Sequence, residues 1–159
     1  MSDIEQLQLT MKALGPILQP ELISQHSATQ WSILFDEDTL IELEYDPQLK
    51  QLSLCSALGS PAQDRLLSTL QASLVYNFLW KNTGGIVLAL NAPDGELMQL
   101  YQLALDEYDT QLLCSVIANF AEKAATWRKL LAAGGINLDN AGVVPSDTLP
   151  LNPDTAIRV

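Results

Sequence analysis

Residues 82–90 read Asn82-Thr83-Gly84-Gly85-Ile86-Val87-Leu88-Ala89-Leu90, a glycine pair followed by five apolar residues in a row. The glycines suit a turn that needs positive φ, and the run behind them has no polar side, as expected of a strand covered on both faces. Upstream, Ser60-Pro61 with Gln63 predicts a helix over 61–80 with a stripe of Leu67, Leu70, Leu74 and Phe78. Leu66, Val75, Leu79 and Trp80 widen that stripe beyond what packing on one sheet requires, so helix and strand both call for a second partner. Downstream, Pro93-Asp94-Gly95 turns the chain into a strand over Leu97 to Leu105. A last helix follows, capped by Asp106 or Asp109 and stopped at Gly134, with Leu113, Val116, Ile117, Phe120, Ala124, Trp127 and Leu131 keeping the helical period.

Ahead of this block, Ser2 and Glu5 form a capping box, and Ile4, Leu7, Met11 and Leu14 recur at helical spacing, which predicts a helix over 3–14 ended by Gly15-Pro16. Trp31, Ile33 and Phe35 alternate along a strand; Asp36-Glu37-Asp38 breaks it, and Leu40 to Tyr45 resumes it as a hairpin. Asp46-Pro47 turns into a third strand over Leu49 to Leu58. The expected order is αβββαββα, an α+β fold with an antiparallel sheet flanked by three helices. Residues 1–134 form its domain. Residues 135–159, with Pro145, Pro150 and Pro153 and no sustained period, read as a flexible C-terminal tail.

The chain has 159 residues, 48% of them hydrophobic and 17% charged, enough for a packed core. Its net charge of -11 disfavours nucleic acid and anionic membrane surfaces as partners. The acidity is spread along the chain: residues 1–80 carry three basic and ten acidic side chains, residues 81–159 five and nine. Cys55 and Cys114 are distant from each other, each in an apolar run, and read as reduced, buried thiols. The N-terminal residues have no basic-then-apolar pattern, and no apolar stretch is long enough to span a bilayer. A cytoplasmic protein is expected.

Chemistry is sparse. His26 is the one histidine, so no metal-ligand spacing and no nucleophile triad can be assembled, and it reads as a loop residue. Gly84-Gly85 lacks the further glycines and the lysine of a phosphate loop. Asp36, Glu37 and Asp38 sit at a turn, and Glu42 with Glu44 on one strand face, where solvated carboxylates are ordinary. Trp31, Trp80 and Trp127 read as core or interface. No metal, cofactor or catalytic residue is expected, and a binding role follows by elimination.

The order of elements, the small acidic chain, and three segments together resemble the type III secretion chaperones of the Tir chaperone family. These segments are Thr83-Gly84-Gly85 ahead of the apolar strand, Pro61 to Leu74 (PAQDRLLSTLQASL) and Ala124 to Leu131 (AATWRKLL). The resemblance spans roughly residues 3–132. It implies a homodimer in the bacterial cytoplasm that binds the N-terminal segment of one or more secreted effectors, keeps it non-globular and delivers it to the secretion apparatus and its ATPase. It implies no enzyme. The resemblance places the dimer interface at Leu74, Phe78, Val87 and Ala89, and the effector-binding patches at Leu7, Met11, Leu14, Trp31, Ile33 and Phe35. The tail from Gly135 exceeds the family's core pattern. The alternative is a dimeric adaptor or anti-regulator that binds a folded protein.

Overall fold

A computed structural model describes residues 2–36, 38–105 and 109–138. Three helices and six strands follow one another as α1 (Asp3–Leu18), β1 (Leu22–Ser27), β2 (Gln30–Phe35), β3 (Thr39–Asp46), β4 (Gln51–Gly59), α2 (Leu66–Phe78), β5 (Val87–Leu90), β6 (Leu97–Ala104) and α3 (Thr110–Ala132). The strands form one sheet in the order β1-β2-β3-β4-β6-β5, and the pairs β1–β2, β2–β3, β3–β4 and β5–β6 are antiparallel. The α+β antiparallel architecture matches the expectation, with one correction: four strands precede α2, not three.

The additional strand is β1. Its sequence, Leu22 to Ser27, carries one half-buried apolar side chain at Ile23 and is otherwise mostly polar or exposed, so no period-2 pattern announces it. It exists because it pairs with β2, Ile23 opposite Ile33 and Gln25 opposite Trp31. His26, expected in a loop, lies on this strand.

The capping box forms, with the Glu5 N–H donating to Ser2 Oγ at 3.2 Å and the Ser2 N–H to Glu5 Oε2 at 2.8 Å. α1 nevertheless passes Gly15-Pro16 and ends at Gln19, in left-handed conformation with φ 48°, whose N–H donates to the Gly15 carbonyl at 2.9 Å. A proline so near the C-terminus forfeits one hydrogen bond on an exposed stretch, which the last turn tolerates. The Asp46-Pro47 turn behaves as read: Asp46 Oδ1 accepts from the N–H groups of Gln48 (2.8 Å) and Leu49 (3.1 Å). α2 starts later than expected. Residues Gln63–Arg65 make a 3-10 turn without a side-chain cap, and the α-helix proper begins at Leu66. At α3, Asp109 Oδ1 caps the Leu112 N–H at 2.6 Å, while Asp106 lies outside the described residues.

The described residues divide into two compact units, one within 2–56 and 101–122 and the other within 57–100 and 123–138. In the first, β3 alternates strictly, with Thr39, Ile41, Leu43 and Tyr45 buried and Leu40, Glu42, Glu44 and Asp46 exposed. The core of this unit comprises Leu7, Met11 and Leu14 of α1, the inward residues of β2 to β4, and Leu113, Ile117 and Phe120 of α3. Each of these large side chains contributes about 1.5–3 kcal/mol through burial.

The core of the second unit comprises Leu58, Ala72, Tyr76, Ile86, Leu88, Leu97, Ala124, Trp127 and Leu131. Arg128 Nη1 donates to the Ala57 carbonyl at 2.7 Å. Beyond α3 the chain is held against the start of α2. The Ala62 N–H donates to the Gly134 carbonyl (2.9 Å), Arg65 Nη1 to the Gly135 carbonyl (3.3 Å), and the Ile136 N–H to Thr69 Oγ1 (3.0 Å). Ile136 is 4% exposed. The segment read as a tail from Gly135 is therefore anchored at its beginning, and residues 139–159 lie outside the described residues.

Candidate partner-binding surfaces

α2 presents the wrong face to its own unit. Thr69, Ala72, Ser73 and Tyr76 are buried, so the inward stripe is small or hydroxyl-bearing apart from one aromatic ring. The large aliphatic stripe points to solvent: Leu67 is 70% exposed, Leu74 69% and Phe78 82%, with Val75 beside them. These positions, at i, i+7, i+8 and i+11, lie along one helix face. Exposed Trp80 follows, with Lys81 Nζ 5.5 Å from its ring centroid. On β5, Val87 and Leu90 are about one third exposed, at 36% and 37%, and Ala89 is half-buried. Of the four residues assigned to a dimer interface, Leu74 and Phe78 are thus solvent-facing and Val87 and Ala89 partly so. Large apolar patches of this kind on soluble proteins mark interaction sites.

The turn between these two elements uses left-handed backbone. Gly84 and Gly85 have φ of 69° and 85°, and the buried Thr83 donates from Oγ1 to the Ile86 carbonyl at 3.1 Å. Asn77 then ties α2 to β5, accepting from the Leu88 N–H and donating to the Leu88 carbonyl, both at 2.8 Å.

The residues assigned to effector patches stand differently. Leu7, Leu14 and Ile33 are 0% exposed, Met11 2% and Trp31 3%, while Phe35 is half-buried. As a continuous exposed surface they do not exist, because the α1 stripe is taken up by the core of its own unit. Two of them nevertheless reach a surface groove of about 310 Å³, where Met11 and Trp31 form the apolar floor and Gln8, Lys12, Ile23 and Gln25 the walls. The groove runs beside β1, an edge of the sheet. α1 lies close enough to β1 that a Cβ on Gly15 would meet Ile23 Cδ1 at 3.9 Å. Elsewhere on α1 and β1, Leu9, Ile17 and Leu22 are each more than half exposed. Gln8, Lys12, Ile23 and Gln25 escape sequence reading because three are polar and two belong to the unannounced strand.

A second concavity of the same unit, about 540 Å³, is more polar and includes Glu42, Glu44, Ser53 and Cys55. Cys55, expected to be buried, is half-exposed on the outward side of β4, and burial followed by the charge of Glu42 pushes its thiol upward. His26 Nε2 lies 2.8 Å from Ser32 Oγ. Among the described residues no group of three His, Cys, Asp or Glu side chains is placed to hold a metal ion. Nor is any described helix long and apolar enough to cross a membrane.

Two apolar surfaces on an antiparallel α+β scaffold call for comparison with known binding proteins. The model of the Tir chaperone protein (CesT) family matches residues 26–128, about two thirds of the chain. The chain belongs to this family. This member of the Tir chaperone family shares its fold with chains in solved complexes. The crystal structure of the ExsC–ExsE complex holds a chain 17% identical, covering 82% of this chain and 97% of that one at TM-score 0.68. The HopA1–SchA chaperone–effector complex holds one at 18% identity, 81% and 99% coverage and TM-score 0.62. The Yersinia pestis type III secretion chaperone SycH, in complex with a stable fragment of YscM2, gives 22% identity, 75% and 97% coverage and TM-score 0.54. At these identities the likeness is one of fold. No curated protein sequence matches the chain.

Proposed function

We propose that this chain acts in the bacterial cytoplasm as a homodimeric chaperone for secreted effectors. It holds an effector's N-terminal segment in non-globular form and delivers it to the secretion ATPase. The second copy docks on the outward face of α2 and the exposed side of β5, through Leu74, Phe78, Val87 and Ala89. The effector segment lies in the α1–β1 groove, touching Met11 and Trp31 at its floor and Ile23 at its side. Leu7, Leu14 and Ile33 support that floor from below. Phe35 stays in the proposed set as a half-buried neighbour.

The observation that carries this reading is the apolar groove alongside an edge strand. An extended client loses roughly 1–2 kcal/mol of backbone entropy per ordered residue. Strand addition at β1 pairs its backbone groups, and each apolar anchor seated in the groove returns about 1.5–3 kcal/mol. Regularly spaced anchors therefore hold a segment that never folds. The charge of -11 keeps the loaded complex soluble.

Affinity capture from a strain with an active secretion system tests this. Recovery of a secreted protein whose N-terminal segment becomes protected from proteolysis, without acquiring a compact fold, supports the chaperone. Recovery only of a compact, folded regulator supports the adaptor reading instead.

A further inference from the structure

The sheet has two edges, β1 and β5. An edge strand exposes backbone donors and acceptors that invite another strand to pair. Along an antiparallel strand, each residue directs both of its backbone groups to the same side, and alternate residues share a side. β5 pairs with β6 on one side, Val87 opposite Leu100 and Ala89 opposite Met98. The groups that bond the Asn77 amide belong to Leu88, and so point off the sheet. The Asn77 side chain there imitates a stretch of neighbouring strand, one acceptor and one donor each at 2.8 Å. Two residues earlier on the same side, the Ile86 carbonyl accepts from Thr83 Oγ1 at 3.1 Å. Leu88 is only 4% exposed and Ile86 2%, so these two of the three outward positions are occupied and dry, while Leu90 at the strand's end is 37% exposed.

We propose that Asn77 closes this edge to strand addition, so that a second copy meets the unit through side chains of α2 and β5 instead of by continuing the sheet. The inference rests on the reading that a second copy docks here. It adds the mode of docking: α2 stands across the edge with Asn77 turned inward and Leu74 and Phe78 turned out. A copy that docks face to face about a two-fold axis closes after two chains, whereas addition of an open β5 edge to the β1 edge of the next copy can continue.

Amide exchange by nuclear magnetic resonance on the full chain, with light scattering on the same samples, tests this. In the wild type the Leu88 amide should exchange at least 100-fold more slowly than in an unstructured peptide, although it faces away from β6. Asn77→Leu, similar in volume and unable to hydrogen bond, should speed exchange at Leu88 at least tenfold while sparing Val87 and Ala89. It should also produce species larger than the wild-type assembly. Unprotected Leu88 in the wild type overturns the proposal even if the variant fails to fold. So does a folded Asn77→Leu protein with unchanged Leu88 exchange, or with wild-type mass and only a lower melting temperature. A wild type of one-chain mass overturns the second-copy reading, and the Leu88 amide still reports separately on the closed edge.

Discussion

Tyr76 and Trp127 meet edge to face, their ring centroids 5.5 Å apart and their planes at 87°. Both side chains are 0% exposed. The contact helps to set which way α2 faces: with Tyr76 against Trp127 and Thr69, Ala72 and Ser73 buried as well, the stripe of Leu67, Leu74 and Phe78 points outward. Trp127→Ala should therefore cost about 3–5 kcal/mol, measured by urea unfolding. Phe78→Ala, at 82% exposure, should leave the stability of an isolated chain nearly unchanged and act on association alone.

The same pair gives a pH dependence. Burial pushes the Tyr76 phenol up to about 12, with Trp127 pulling it partly back, and neither Tyr76 Oη nor Trp127 Nε1 makes a well-formed hydrogen bond among the described residues. The unfolded tyrosine titrates near 10. Its folded pKa is the higher one, so its contribution is fully present below pH about 10 and is lost as pH climbs towards about 12, at most about 2–3 kcal/mol. Tyr76→Phe should flatten that loss in a comparison of unfolding free energies at pH 9 and 11.5. At pH 7 it should be neutral or slightly stabilising, since a buried hydroxyl without a good partner is removed.

Gly135 has φ of 100°, and a Cβ there would lie 2.5 Å from Thr69 Oγ1 and 2.7 Å from Pro61 Cβ. Gly135→Ala should lower stability by about 1–3 kcal/mol. Truncation after Gly134 should cost more than truncation after Leu138, because only the former removes Ile136 from its buried seat against Thr69. Melting temperatures of the two truncated chains check the difference.

Replacing Leu7 and Met11 together with Glu should unfold the first unit, since both are buried. Gln8→Trp, which fills the groove from its rim, should instead leave the melting temperature unchanged and weaken effector capture at least tenfold. Fluorescence anisotropy with a labelled N-terminal effector segment reads the second effect.

What the residues announced and what they concealed follow from where each signal lives. α1, β2 to β4 and α3 alternate or repeat because each has one wet face and one dry face, as Ile41, Leu43 and Tyr45 against Glu42 and Glu44 show. β1 has little to bury, and only its pairing with β2 makes it a strand. The excess of apolar side chains on α2 was legible in Leu66 to Trp80, but its orientation was not, because Thr69, Ala72 and Ser73 look less like a core stripe than Leu67, Leu74 and Phe78 do. The same ambiguity holds for Leu7, Met11 and Leu14, which the structure buries: an apolar stripe on a short helix is equally a core and a binding surface until its neighbours are known. The groove walls, Gln8, Lys12 and Gln25, are polar and carry no periodic signal at all.

The molar mass of the wild-type chain by light scattering at micromolar concentration tests the central claim most directly, because it asks whether the outward face of α2 is covered. Two chains of 17.4 kDa give about 35 kDa, the result expected here, falling to a single chain in Phe78→Arg. A wild-type mass of 17.4 kDa would contradict the account, leaving Leu67, Leu74 and Phe78 in water with no second copy to cover them.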